Sequence, residues 1–225
     1  RLSTSAGEIQ QLSLLQGWHW VSWYVRPTNA KLDYIFPIES GFSEGDLVKS
    51  PTTKAFAELT VTPDSAAWKG SLSATNYKNM YMVRVADAFN TTIEGKALTD
   101  EQRTLTIRKG WNGIAYLLSA PMSTRDALAD YYDKATVGDL IKSRTQFAVF
   151  TENGKWEGSL QTLRPGQGYL LRRNGTGSVT MKFVKNAAAS APKRVKAVSD
   201  QLSAFSNPKS SSNMTMIAKI VNSNQ

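Results

Sequence analysis

Gly45-Asp46-Leu47-Val48-Lys49-Ser50 returns later in the chain as Gly138-Asp139-Leu140-Ile141-Lys142-Ser143, with only Val48 exchanged for Ile141. The two hexapeptides lie 93 positions apart, and so do Gly17-Trp18 and Gly110-Trp111. Phe56-Ala57 matches Phe147-Ala148 at a spacing of 91. Trp68-Lys69-Gly70-Ser71-Leu72 matches Trp156-Glu157-Gly158-Ser159-Leu160, and Tyr81-Met82-Val83-Arg84 matches Tyr169-Leu170-Leu171-Arg172, both at a spacing of 88. Self-similarity at a near-fixed period is the signature of repeated structural units. Five blocks in one order, drifting by only five residues, read as a duplication, and each half is long enough to bury its own core.

The drift falls between Leu59 and Ala67 in the first copy and between Thr151 and Lys155 in the second. Asn153-Gly154 is a tight hairpin signal. The first copy is expected to replace it with a longer loop containing Pro63-Asp64. Each copy is predicted to open with a long strand, Leu12 to Val25 or Thr104 to Leu118. A short helix follows in the second copy over Thr124 to Tyr132, capped by Ser123 or Thr124. Pro37 and Gly41 predict that this helix is shorter or missing in the first copy. The hairpin and two closing strands complete the unit, with Pro165-Gly166 as a turn. The fold class expected is therefore α+β, mainly β. Two homologous strand-rich modules of antiparallel sheets carry one short helix each. Residues 1–98 form module one and 99–185 module two. A linker over 186–210 and a partial strand of a following β domain over 211–225 complete the assignment.

Gly17-Trp18-His19-Trp20-Val21-Ser22, the Gly-Asp-Leu block, the Trp-x-Gly-Ser-Leu block and Arg164-Pro165-Gly166-Gln167-Gly168-Tyr169 together resemble repeat modules of large secreted or surface-exposed proteins of Bacteroidetes. The resemblance covers residues 12–184. It implies an extracellular or cell-surface setting, with other domains of a parent protein or surface-complex proteins as partners. It implies no assigned activity. Asn213 to Ile220 resembles the opening strand of the β-sandwich that often follows such modules. Copy two departs at Gly113, where copy one has Trp20, and copy one departs at Asn79-Met80, where copy two has Gln167-Gly168.

Of 225 residues, 41% are apolar and 20% charged, a composition that folds. The chain opens on Arg1-Leu2-Ser3-Thr4 without a Met or a charged-then-apolar leader, and so reads as a processed segment of something longer. No apolar run approaches the roughly 18 to 20 residues that span a bilayer. The absence of cysteine excludes disulfides, thiolate metal sites and a cysteine nucleophile. The net charge of +9 is uneven. Residues 1–98 carry nine Lys or Arg against nine Asp or Glu, residues 99–184 twelve against eight, and residues 185–225 six against one. The last stretch reads as a solvated linker. The sequence shows no basic stripe interleaved with aromatics, so no nucleic acid is expected as a partner.

Candidate chemistry is sparse. His19 is the only histidine, on the opposite strand face from Trp18 and Trp20. No spacing fits a zinc site or a phosphate loop, and no cofactor is expected. Asp46 and Asp139 recur without a second carboxylate beside them, which favours a turn-capping role over acid-base work. Trp18, Trp111, Trp68, Trp156, Tyr81 and Tyr169 recur in both copies and are expected in the core. Trp20 and Trp23 have no Trp counterpart and are expected to be the exposed pair. With His19 and Tyr24 they are the candidate ligand contacts, since exposed rings stack on sugars or anchor proteins. The expectation is a non-catalytic structural, spacer or interaction pair. The alternative is a carbohydrate-binding or adhesive module, and a hydrolase using Asp46 or Asp139 comes last.

Overall fold

The computed structural model describes residues 7–185, all within one compact unit. Residues 1–6 lie outside the described residues, as do the expected linker and C-terminal strand. The first half contains β1 Gly7–Leu14, β2 Gly17–Val21, β3 Val25–Arg26, α1 Leu32–Ile35, β4 Leu47–Lys49, β5 Phe56–Thr62, β6 Ser65–Gly70, β7 Tyr81–Val85 and β8 Phe89–Ala97. The second contains β9 Thr104–Ile107, β10 Gly110–Ala115, β11 Met122–Ser123, α2 Thr124–Ala127, β12 Leu140–Lys142, β13 Phe147–Phe150, β14 Trp156–Gly158, β15 Thr162–Leu163, β16 Gly168–Arg173 and β17 Val179–Lys182. The molecule is strand-rich with few helices, and its sheets are antiparallel.

One five-stranded sheet runs β2-β7-β4-β5-β6 and another runs β10-β16-β12-β13-β14. The strands of each occur at matching places in the two blocks of sequence. Strand alternation sets what each sheet buries. Val21, Val48, Ala57 and Val83 face inward from the first sheet, and Ile114, Ile141, Ala148 and Leu171 from the second. Leu12, Leu14 and Ile93, from the small sheet β1-β8-β3, share a buried cluster with the first set. Leu105, Ile107 and Met181, from the β9-β17 pair, share another with the second.

The expected opening strand Leu12 to Val25 is divided among β1, β2 and the start of β3, and Thr104 to Leu118 between β9 and β10. Gly17 (φ 107°) and Gly110 (φ 85°) take left-handed backbone, which ends β1 and β9 and starts β2 and β10. The helix of the first half, expected to be shorter or missing, is present as a single turn. One turn fits at Leu32–Ile35, before Pro37. Its counterpart α2 is equally short, and Ser123 caps it by accepting a bond from the Asp126 N–H (3.1 Å). The first hairpin differs from expectation too. Its extra residues lengthen the strands to a Thr62–Ser65 pair, leaving only Pro63-Asp64 at the tip.

The two halves meet through reciprocal bonds. The Ser22 N–H donates to the Gly166 carbonyl (3.0 Å), and the Ala115 N–H donates to the Lys78 carbonyl (3.1 Å). Val21 bridges Gln167, and Ile114 bridges Asn79. Each contact is the other's image under the 93- and 88-residue spacings. The positions where the copies differ fall here. Met80 is buried, and a side chain on Gly168 would come within 2.5 Å of its Cβ. A side chain on Gly113 would meet Pro51 and Thr52 at 2.9 Å. The two glycines clear the space that Met80 and its neighbours fill.

Candidate functional site

The outward faces of the five-stranded sheets are where the sequence departs most from a simple surface. In β2, positions 18 and 20 share the face opposite Val21, so both indoles project away from the core. Trp18 stands opposite Arg84 and Trp20 opposite Met82, with Lys49 next across the sheet. In the second sheet Trp111 stands opposite Arg172, and Lys142 pairs with Leu170. The Lys49 ammonium lies 5.4 Å from the Trp18 ring centre. The Lys142 ammonium lies 5.5 Å from Trp20 and 5.9 Å from Trp111, joining the two sheets. The Arg172 guanidinium lies 5.7 Å from Trp111. Each such contact is worth about 0.5–1 kcal/mol at an exposed site. Phe56 and Phe147 continue the face at 46% and 50% exposure.

Several expectations are corrected here. Trp18 and Trp111 are not core residues but are 38% and 51% exposed, because the inward parity of β2 and β10 belongs to Val21 and Ile114. Trp23 is not exposed. The chain leaves the sheet after Val21, where the Ser22 hydroxyl bonds the Gln167 carbonyl (2.6 Å), and Trp23 is carried inward to stack on Tyr81 at 5.3 Å. Its counterpart Tyr116 is equally buried, against Phe183. Tyr24 lies apart from Trp20, its N–H donating to Gln10 Oε1 (2.7 Å). The folded face also does what the linear sequence hid. It interleaves cations with indoles, using five strands distant in sequence.

The remaining residues act within the fold. Trp68 and Trp156 face inward, and the Trp68 indole N–H donates to the Phe36 carbonyl (2.9 Å). Tyr81 and Tyr169 are buried, and each hydroxyl accepts a backbone N–H, from Asn76 (2.7 Å) and Arg164 (2.8 Å). Asp46 accepts from the N–H groups of Ser43 (2.9 Å) and Ala86 (2.8 Å). Asp139 accepts from Thr136 (3.0 Å) and Asn174 (2.7 Å), and also from the Tyr131 hydroxyl (2.7 Å). Burial, reinforced by that bond to Asp139, pushes the Tyr131 phenol above its ordinary range. His19 Nε2 bonds the Leu15 carbonyl (2.6 Å), as Asn112 bonds the equivalent Arg108 carbonyl (2.8 Å). His19 thus does the turn-tying work of an asparagine.

Two clefts flank the junction. One, of about 380 Å³, is lined by Gln11, His19, Trp20, Arg144 and Gln146. Its image, about 370 Å³, is lined by Thr52, Lys78, Asn79, Trp111 and Asn112. Trp20 and His19 are therefore brought together in one cleft, while Trp23 and Tyr24 are not. Among the described residues no three His, Asp or Glu side chains come together where they could hold a metal ion. No helix there is long and apolar enough to cross a membrane. Comparison with protein-family models, curated proteins and solved structures found no match to this chain.

Proposed function

We propose that the chain is a non-catalytic interaction unit of a larger secreted cell-surface protein. Two duplicated modules, residues 1–98 and 99–185, present one docking face to a partner. The observation that carries this reading is the outward placement of Trp18, Trp20 and Trp111 across two sheets, beside exposed Phe56 and Phe147. Exposed aromatic clusters of this kind are the anchors of interfaces. The equal strand order of the two large sheets and the image-related bonds at the junction support a duplicated pair over a spacer of unrelated halves. The surface setting and the partnership with neighbouring domains rest on the sequence resemblance. Carbohydrate binding is the second reading, favoured by Trp20 in its polar cleft.

The test is photo-crosslinking on the producing cell, with the crosslinker at position 18, at 111, or at 153 in the distant hairpin tip. Adducts confined to 18 and 111 are expected. None from either, or equal yields from all three positions, would overturn the docking face.

A further inference from the structure

We infer that the indole and cation row takes an acidic polysaccharide, a polymer of sugars carrying sulfate or carboxylate groups. This rests on the docking face proposed above and names its ligand. Lys49, Arg84, Lys142 and Arg172 have no carboxylate within ion-pair distance among the described residues. Lys49 and Lys142 make no side-chain hydrogen bond there either, and hold only to indole rings. An unpaired cation over a ring is weakly held, and its flexible stem frees it to swing toward an incoming anion. That swing uncovers the indole face, against which the C–H face of a sugar packs. Trp18 and Trp20 are two residues apart on one strand, so their rings repeat at about 6.6 Å. Lys142 then links Trp20 to Trp111 on the second sheet, so the row continues across the junction. Rings and charges in alternation match a chain whose sugars and acid groups alternate.

Nucleic acid fits less well. Its binding is driven by many phosphate contacts. Residues 7–184 carry 20 Lys or Arg against 17 Asp or Glu, so the row offers four cations on a nearly neutral body.

The experiment titrates the full chain with dextran sulfate, polygalacturonate, neutral dextran and a thymidine oligonucleotide, reading tryptophan fluorescence and calorimetry. Binding to one or both acidic polymers is expected, with neutral dextran silent and the oligonucleotide at least tenfold weaker. Sulfate or carboxylate preference is read from the first two arms. The double variant Trp18→Ala/Trp111→Ala keeps every charge and should lose at least tenfold in affinity. Lys142→Glu should do the same, both with unchanged circular dichroism. Undiminished binding by the tryptophan variant would place the polymer on the basic tail and overturn the inference. So would equal binding of the oligonucleotide. Silence toward both acidic polymers, with crosslinking at 18 and 111 retained, would overturn the ligand and leave the docking face standing.

Discussion

Asp139 shows at the residue scale how a recurrent acid serves the fold. Its two oxygens receive two backbone N–H groups and a tyrosine hydroxyl, whereas Asp46 receives two N–H groups. Asparagine at 139 would turn an amide N–H against one of these donors inside a site closed to water. Asp139→Asn is expected to cost about 2–4 kcal/mol and Asp46→Asn less, measured by urea unfolding. Equal costs would show that the tyrosine bond adds nothing. The buried phenols set a pH limit. Burial pushes Tyr169 up to about 12 from 10.0, and Tyr116 and Tyr131 higher still. A raised value means that the fold favours the neutral phenol. The stability this gives is whole below pH 10 and falls as pH rises through about 12. Tyrosinate absorbance should therefore appear in a late step that coincides with loss of structure. Single-step ionisation near pH 10 in the folded chain would contradict this.

At the scale of elements, the Trp-x-Gly-Ser-Leu block was legible as a repeat, but its cause was not. Gly70 (φ 144°) and Gly158 (φ 148°) end β6 and β14 with backbone pressed on the preceding hairpin strand. A side chain would lie 2.3 Å from the carbonyl oxygens of Phe56 and Phe147. Only glycine meets both demands. Gly158→Ala is expected to cost about 3 kcal/mol. Gly45→Ala, at φ 81° with open space, should cost about 1 kcal/mol. A denaturant series on both variants checks the contrast. Recurrence in both copies does not imply burial for Trp18 and Trp111, which are 38% and 51% exposed. Alternation alone puts both opposite the valine or isoleucine that the core needs. The burial of Trp23 is not legible in the sequence, because nothing there marks where β2 stops. That end is set by a bond from Ser22 to Gly166, 144 residues away in sequence.

At the scale of the whole molecule, the strand-rich class and the hairpin positions could be read from the sequence. The interleaved face could not. Lys49, Lys142 and Arg172 meet Trp18, Trp20 and Trp111 only after five strands assemble, so no linear run announces them. The junction is likewise a property of the assembled chain. Met80→Gly and Gly168→Ala should each destabilise the protein, and the double variant should cost less than their sum, because a side chain at 168 lies 2.5 Å from the Met80 Cβ, the atom that glycine at 80 removes. A double-mutant cycle with no coupling would show that the two positions do not share space.

On the proposed reading of two duplicated modules, the pairing of Met80 with Gly168 also bears on inheritance. Were the two halves separate, identical chains, any change at the axis would arrive on both sides together. A methionine would then have to face a methionine. A single gene encoding both halves escapes that rule, and keeps them at the millimolar effective concentration of a short tether. One side is free to grow while the other yields. Once that has happened, neither half can go back to meeting its own twin, because two copies of the first would collide where two copies of the second would leave a hole.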